Sequence, residues 1–171
     1  MKLTYYTDGS CKGNPGPGGY GIVRLSKIDN QLVLSEYYSN SVANTTNNRM
    51  ELEAVLRVLE LSQNAPDYEY EIYSDSAYVV NICNDWIWKW AANGWVRNKN
   101  KQIENLDIIK KIYNILNFAT IIYNIKKCSG HSGILENEIA DALATGNKIK
   151  FNKIISENNI KFIWNFIKNI I

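Results

Sequence analysis

The feature that most constrains this chain is a glycine- and proline-rich segment that follows an acidic residue near the N-terminus. Lys2 to Thr7 is rich in β-forming residues and predicts a strand, and Asp8 stands where that strand is expected to end. Residues 9–19 contain five glycines and two prolines, which form tight turns and allow a backbone to approach closely. A large, charged partner requires such access, although an isolated Asp8 is also an ordinary turn residue.

Three further acidic residues and the only histidine stand in similarly marked settings. Glu51 lies near the start of a segment with helical periodicity, and Asp75 ends a second strand pattern. His131 lies between glycines in residues 129–133, and Asp141 lies in the helical pattern that follows. Carboxylates gathered at one site repel each other unless cations neutralise them. If the sheet brings these carboxylates together, their all-oxygen ligand set favours a hard divalent cation, Mg²⁺ above all, with Mn²⁺ as a substitute.

Composition limits the class of protein. The 171 residues, of which 46% are hydrophobic, suit one domain with a substantial core. The formal net charge of +2 gives no global basic signature, so any nucleic-acid binding rests on local patches. Three cysteines without close spacing argue against a disulfide framework and favour a reducing compartment. With no secretory signal pattern and no run of 18 apolar residues, we expect a cytoplasmic protein that does not enter a membrane.

Hydrophobic periodicity predicts the α/β class, with a mixed sheet covered by helices. Short connections between the first three strands indicate an antiparallel meander. The predicted strands cover residues 2–7, 20–28, 31–40, 68–74 and 120–125. The predicted helices cover residues 46–62, 76–84, 100–117 and 135–145.

The last segment of the chain has a pattern of its own. Phe162, Ile163 and Phe166 recur at intervals of one and three, which predicts an extra amphipathic C-terminal helix. We expect this extension, residues 149–171, to pack on the domain, because an apolar stripe usually binds a core. A partner-binding helix and a helix on a membrane surface are the alternatives.

Four short sequence blocks occur in one order along the chain. They are Asp8-Gly9-Ser10, Asn47-Asn48-Arg49-Met50-Glu51, Ser74-Asp75-Ser76, and Gly130-His131-Ser132-Gly133 with Asn137-Glu138 and Ala140-Asp141 behind it. Together these blocks resemble type 1 ribonuclease H. The resemblance implies a ribonuclease-H-like fold with a five-stranded mixed sheet, in a domain of residues 1–148. It also implies a metal-dependent endonuclease that hydrolyses the RNA strand of RNA–DNA hybrids and leaves 5′-phosphate and 3′-hydroxyl ends.

The resemblance gives the acidic residues their roles. It implies that Asp8 bridges two Mg²⁺ ions and that Glu51, Asp75 and Asp141 complete their coordination. Two such ions clamp the attacking and leaving oxygens of a phosphodiester. Glu138 is a further acidic candidate, ranked below these four because it also suits an exposed helix surface.

The resemblance also gives His131 a catalytic role. Imidazole is a poor Mg²⁺ ligand by hardness, and its unperturbed pKa of about 6.5 suits proton transfer or help with product release. The alternative is a solvated loop histidine with no role. We expect the loss of His131 to weaken the enzyme without abolishing its activity.

The resemblance implies separate contacts to the two nucleic-acid strands. Asn14, Asn47 and Asn48 match polar positions that contact the RNA 2′-hydroxyl in the minor groove, and amide side chains both donate and accept hydrogen bonds. Helix capping is the alternative role for the adjacent asparagines. The residues expected to contact the DNA strand are Thr46, Tyr78, Trp86 and Asn105.

Two positions depart from the bacterial members of this family. A segment that is basic in them is Ala91-Ala92-Asn93 here, and a basic residue of the phosphate pocket is Asn44 here, so we expect weaker binding at both places. Among the tryptophans, we expect Trp90 and Trp95 in the core and Trp86 partly exposed.

We expect the protein to act as a monomer on an RNA–DNA hybrid duplex. A different nuclease of the same fold, such as an exonuclease or a junction resolvase, is one alternative, and a non-catalytic hybrid-binding module is another. The set of Asn14, Asn47 and Asn48 together with the loop at residues 130–133 argues against the first. The presence of all four carboxylates argues against the second.

Overall fold

A mixed β-sheet forms the centre of the protein. The computed structural model describes residues 1–97, 101–130 and 132–162. The strands in this part of the chain are β1 Lys2–Cys11, β2 Gly16–Ile28, β3 Gln31–Thr45, β4 Glu69–Ser74, β5 Tyr123–Lys127 and β6 Lys161–Phe162. Their order is β5-β4-β1-β2-β3-β6. β1, β2 and β3 form the predicted antiparallel meander, β4 and β5 continue the sheet in parallel, and β6 runs parallel to β3.

Helices cover the sheet. They are α1 Asn47–Ser62, α2 Ala77–Asn81, α3 Ile87–Ala92, α4 Leu106–Phe118, α5 Leu135–Ala144 and α6 Lys148–Glu157. A π-helical turn, Ile82–Trp86, joins α2 to α3, so the predicted helix at residues 76–84 and the aromatic segment behind it form one helical stretch. Within the described ranges, each helix is too short or too polar to pass through a bilayer.

The α/β class and the five principal strands are confirmed, but several boundaries differ from the prediction. β2 begins at Gly16, β3 ends at Thr45, β5 covers Tyr123–Lys127 and α4 begins only at Leu106. β1 continues beyond Thr7 to Cys11, because β2 pairs with it as far as Gly18. Glycine-rich sequence is a poor strand signal, so this pairing was not expected from composition. β6 adds only two residues beside Val33 and Leu34 at the outer edge of the sheet.

Two hydrophobic cores lie on opposite faces of the sheet. Successive residues of a strand point to opposite faces, and Ile22 belongs to the core under α1 and α4, whereas Val23 belongs to the core under α5 and α6. Both side chains are fully buried. Thr46 begins α1, since its hydroxyl oxygen accepts a hydrogen bond of 3.3 Å from the backbone N–H of Arg49. The site described below lies at one end of the sheet between these layers.

The C-terminal segment differs from the predicted single helix. α6 ends at Glu157, and Lys161 and Phe162 form a strand rather than part of a helix. The described part of the C-terminal segment does pack on the domain, since Ile155 and Ile160 are buried in the core that contains Val23. The remainder of the predicted helix, residues 163–171, lies outside the described residues.

The tryptophans pack at the edge of the larger core. Trp86 is half-buried, in agreement with the prediction. Trp90 and Trp95 are also only half-buried, because they pack against the core from outside rather than within it. The Trp95 ring lies 5.2 Å from the Tyr113 ring in an edge-to-face arrangement, which fixes the chain after α3 against α4.

Candidate active site

Asp8 and Asp75 come together because β1 and β4 are parallel neighbours. The last residues paired between these strands are Thr7 and Ser74, and the two aspartates follow them directly. The prediction that Asp8 ends its strand is wrong, because the Asp8 backbone remains paired with Gly21 of β2. It instead marks the point where β1 loses its neighbour β4. The carboxylates therefore lie at the same end of a parallel pair.

Glu51 reaches the same point from α1 through a close approach of two backbones. A Cβ added at Gly9 would overlap the backbone nitrogen of Glu51 and lie 2.7 Å from its Cα. Only glycine allows α1 to lie this close to β1. The contact places the Glu51 side chain, in the second turn of α1, beside Asp8.

The three carboxylates form a compact and largely buried cluster. One carboxylate oxygen from each of Asp8, Glu51 and Asp75 lies within 4.8 Å of the corresponding oxygens of the other two residues. Asp8 is 7% exposed and Glu51 is 4% exposed. Asp8 Oδ1 accepts a hydrogen bond of 2.8 Å from the N–H of Gly9, whereas Glu51 Oε2 is buried without a hydrogen-bond partner. A buried oxygen without a donor, next to two further carboxylates, suits a hard divalent cation.

Burial and mutual repulsion disfavour the charged forms of this cluster. Burial raises the pKa of Asp8 to about 7, and the charges of Asp75 and Asp141 add to the effect. Burial raises the pKa of Glu51 to about 9, with further contributions from Asp8 and Asp75. The metal-free site therefore retains protons at neutral pH, and a divalent cation would replace them.

We expect Asp8→Asn to stabilise the metal-free protein in alkaline solution. Asp8 and Glu51 bind protons more tightly in the folded chain than in the unfolded chain. Their contribution to stability is thus complete below about pH 4 and is lost as the pH rises through about 7 and about 9. Asparagine retains the oxygen that accepts from Gly9 and carries no charge. In EDTA at pH 8.5, the free energy of unfolding should rise by roughly 1–3 kcal/mol, and at pH 5 by much less.

Denaturant unfolding at both pH values measures this effect. The matched control is Asp67→Asn, which removes an exposed carboxylate in the loop after α1. Addition of Mg²⁺ should stabilise the wild type more than Asp8→Asn. A variant less stable than the wild type in EDTA at pH 8.5 would contradict the expectation.

Asp141 lies next to the cluster but is held by another residue. It is not a member of the three-carboxylate group, although its charge contributes to the raised pKa of Asp8. Its Oδ2 accepts a hydrogen bond of 2.5 Å from Lys150 Nζ, which also lies 2.9 Å from Glu138 Oε2. Burial acts to lower the pKa of Lys150, but its hydrogen bonds to the two carboxylates outweigh burial and the net shift is upward. The role of Asp141 as a metal ligand stays a prediction.

The loop that carries the histidine lies against Asp75. A Cβ added at Gly130 would lie 2.5 Å from Asp75 Oδ2, so this loop and the carboxylate are in direct contact. His131 itself lies outside the described residues. Ser132 Oγ donates a hydrogen bond of 2.8 Å to the carbonyl of Ser129.

Two of the predicted RNA-contacting residues are joined by a hydrogen bond. The Asn14 side-chain oxygen accepts a bond of 2.9 Å from the backbone N–H of Asn47, which ties the loop between β1 and β2 to the start of α1. Asn14, Asn47 and Asn48 are all exposed. The capping role belongs to Thr46, so the side chains of Asn47 and Asn48 are not used to cap α1.

The predicted DNA-contacting residues form a second group along α1, α2 and α4. Burial raises the pKa of Tyr78 and the nearby Asn105 side chain acts to lower it, and the rings of Tyr78 and Trp86 meet edge to face at 6.3 Å. Arg49 donates hydrogen bonds of 3.0 and 2.7 Å to the two oxygens of Asp107, which ties α1 to the start of α4. Tyr78, Trp86 and Asn105 are therefore brought together.

Sequence reasoning missed Lys150 at this site. The chain offers a weak signal for it, since Gly146 and Asn147 mark a turn that separates two helical patterns. A chain that reverses there returns along α5 and brings an early residue of the next helix back towards Asp141. The prediction for residues 149–171 rested on their apolar stripe, which does not include Lys150.

The fold and the cluster define a ribonuclease-H-like α/β protein with a carboxylate site fitted for divalent cations. The family model for RNase H matches residues 1–148. Ribonuclease H of Orientia tsutsugamushi is 41% identical over 165 residues, covering 95% of this chain and 93% of the relative. Ribonuclease H of Desulforamulus reducens is 43% identical over 144 residues, covering 84% of this chain and 85% of the relative. The chain belongs to the ribonuclease H family.

Solved structures agree with this placement. The crystal structure of LC9-RNase H1, a type 1 RNase H with the type 2 active-site motif, has a TM-score of 0.71 at 29% identity and covers 84% of this chain and 70% of that chain. LC11-RNase H1, solved in complex with an RNA/DNA hybrid, has a TM-score of 0.59 at 27% identity and covers 83% of this chain and 93% of that chain. The resemblance to type 1 ribonuclease H is thereby confirmed.

Proposed function

We propose that this protein is an endonuclease that hydrolyses the RNA strand of RNA–DNA hybrids. The observation that carries the proposal is the buried cluster of Asp8, Glu51 and Asp75, in which one oxygen of Glu51 has no hydrogen-bond partner. Relatives named ribonuclease H at about 40% identity, and a related structure in complex with an RNA/DNA hybrid, support the choice of substrate.

Two Mg²⁺ ions are the proposed cofactors, with Mn²⁺ as a substitute. When bound, such a pair lowers the pKa of the attacking water and neutralises charge on the attacking and leaving oxygens. Asp8 is the proposed bridging ligand, and Glu51, Asp75 and Asp141 complete the set. Support comes from the position of Asp8, whose pKa is affected by both Asp75 and Asp141. Breaking the bond between phosphorus and O3′ leaves 5′-phosphate and 3′-hydroxyl ends.

Selectivity for RNA is proposed to rest on the surface formed by Asn14, Asn47 and Asn48. Amide groups donate to and accept from a 2′-hydroxyl, which DNA lacks. The hydrogen bond between the Asn14 side chain and the backbone of Asn47 holds two of the three residues together on one surface. The group of Thr46, Tyr78, Trp86 and Asn105 is the proposed contact for the DNA strand, since half-buried rings offer flat surfaces to sugars.

His131 is proposed to move a proton or to assist product release. The contact of Gly130, the preceding residue in the chain, with Asp75 supports this. We expect His131→Ala to lower the cleavage rate by ~10²–10⁴-fold, the usual value of general acid–base help. Single-turnover cleavage with Ser132→Ala as the control measures the effect. A rate within threefold of the wild type would contradict the role.

The setting of the enzyme is also a proposal. Cys11, Cys83 and Cys128 are free, which supports a reducing compartment such as the cytoplasm. Action as a monomer is proposed as well, because Asp8, Glu51 and Asp75 already meet within a single chain. We propose a ribonuclease H domain at residues 1–148, supported by the extent of the family match, followed by an extension at 149–171 that packs on it.

End-labelled RNA annealed to DNA tests the proposed activity. The same RNA strand is offered alone, in an RNA duplex and in the hybrid, first with Mg²⁺ and then with EDTA. Internal cuts only in the RNA of the hybrid, abolished by EDTA, are the expected result. Cleavage from one end only would indicate an exonuclease. Hybrid binding without cleavage under Mg²⁺ or Mn²⁺ would indicate a binding module.

A further inference from the structure

Lys150 places a cation of the chain itself on a carboxylate that the proposed metal site requires. Its Nζ lies 2.5 Å from Asp141 Oδ2 and 2.9 Å from Glu138 Oε2. The side chains of Lys150, Asp141 and Glu138 are 33%, 18% and 25% exposed, so solvent screens this triad only in part. Lys150 belongs to α6, which begins where the family match ends.

The position of Lys150 is fixed by the turn between α5 and α6. Gly146 has a φ of +65°, and the backbone N–H of Asn147 donates a hydrogen bond of 2.9 Å to the carbonyl of Ala142. The Asn147 side chain then caps α6 by accepting a bond of 2.9 Å from the N–H of Lys150 itself. The first turn of α6 is therefore held against the last turns of α5, which carry Asp141.

The far end of α6 is anchored as well. Ile155 is 8% exposed and lies in the core with Val23 and Ile139, and the Phe151 ring lies 5.8 Å from the Tyr37 ring. These contacts attach α6 to the sheet and to α5. Lys150 thus projects from a docked helix, and its ion pair with Asp141 does not depend on a freely moving tail.

We propose that Lys150 is a tethered competitor for the divalent cation at Asp141. The inference rests on the proposed function, because it requires Asp141 to be a metal ligand. An ammonium on Asp141 Oδ2 both occupies a coordinating oxygen and adds one positive charge beside the site. A divalent cation gains Oδ2 of this carboxylate only by displacing Lys150, and Glu138 offers the displaced ammonium a second partner. The enzyme consequently needs a higher metal concentration than its carboxylates alone would require.

Direct Mn²⁺ titration of the substrate-free protein tests the competition. Lys150→Gln removes the charge and retains a polar side chain, and it should lower the dissociation constant of the weaker Mn²⁺ site by about tenfold. Lys150→Arg keeps the charge and should bind Mn²⁺ as the wild type does. The matched control is Lys153→Gln on the same helix, since Lys153 is 69% exposed and lies 3.8 Å from Glu157, away from Asp141.

Calorimetry gives the affinities, and thermal unfolding in EDTA confirms that each variant is folded. Equal Mn²⁺ affinities of Lys150→Gln and the wild type would overturn this inference and leave the proposed metal site standing. The same holds if Lys150→Arg gains as much affinity as Lys150→Gln, since the charge would then have no part in it. Absence of Mn²⁺ binding in every protein would overturn the metal site, and the inference with it. Tighter binding by Lys150→Gln alone supports the proposal.

Discussion

Replacing Asp75 with asparagine is expected to abolish cleavage of the hybrid while leaving hybrid binding nearly unchanged. Asp75 shares the buried cluster with Asp8 and Glu51, and its loss removes one of the charges that would hold a divalent cation. The proposed RNA contacts at Asn14 and Asn47 lie on a different surface and keep their hydrogen bond. We expect the single-turnover rate to fall by at least ~10³-fold, because a cation that is no longer held by Asp75 cannot stabilise the charge of the transition state.

Cleavage and binding are measured on the same labelled hybrid, with binding assayed in Ca²⁺ or in EDTA. Asp67→Asn is the matched control, since it makes the same chemical change at an exposed position before the start of β4, at the opposite end of that strand from Asp75. A variant that keeps more than a tenth of the wild-type rate would show that Asp75 does not hold the catalytic cation. A variant that loses binding and cleavage together would place Asp75 in substrate recognition instead.

Replacing Gly9 with alanine is expected to cost both stability and the metal site. The new Cβ would overlap the backbone of Met50 and Glu51, and backbone atoms cannot move aside as a flexible side chain does. α1 would have to shift away from β1 and take Glu51 away from Asp8. We expect the free energy of unfolding to fall by on the order of 3 kcal/mol.

Gly94→Ala separates crowding from backbone strain. Gly94 has a φ of +66° and a Cβ there would meet nothing within 4 Å, so the control carries only the left-handed strain of about 1–2 kcal/mol. Denaturant unfolding gives the stability, and Mn²⁺ titration reports on the site. We expect Gly9→Ala alone to lose Mn²⁺ affinity. If it binds Mn²⁺ as tightly as Gly94→Ala does, the close approach of β1 and α1 does not position Glu51.

Local patterns in the sequence predicted much of the fold. The period of Leu52, Val55, Leu56 and Leu59 predicted α1 almost to the residue, because a strong apolar stripe and the cap at Thr46 act within the helix itself. The residues beyond Thr7 in β1 were missed, because only pairing with β2 keeps them in the sheet. β6 depends likewise on its distant partner β3.

The candidate site shows the same contrast between features with a local sequence pattern and features that depend on contacts between distant segments. The carboxylates of Asp8, Glu51 and Asp75 stand in distinctive local settings, which made them candidates, and the resemblance to type 1 ribonuclease H implied that they share one site. The ion pair of Lys150 with Asp141 depends on how α6 turns back along α5, which is a tertiary contact. The close contact at Gly9 is also tertiary, because a Cβ there would overlap α1, which is distant in the sequence. In the sequence alone, a glycine after an acidic residue indicates only an ordinary turn.

The position of bound Mn²⁺ tests the central claim most directly. Crystals of the protein grown with Mn²⁺ give an anomalous difference map that locates the ion without reference to activity. The proposed site predicts a peak at metal–oxygen distances of roughly 2–2.5 Å from the carboxylates of Asp8, Glu51 and Asp75. A protein that cleaves hybrids with Mn²⁺ but carries its Mn²⁺ peak elsewhere, with these three carboxylates free of metal, would contradict the assignment.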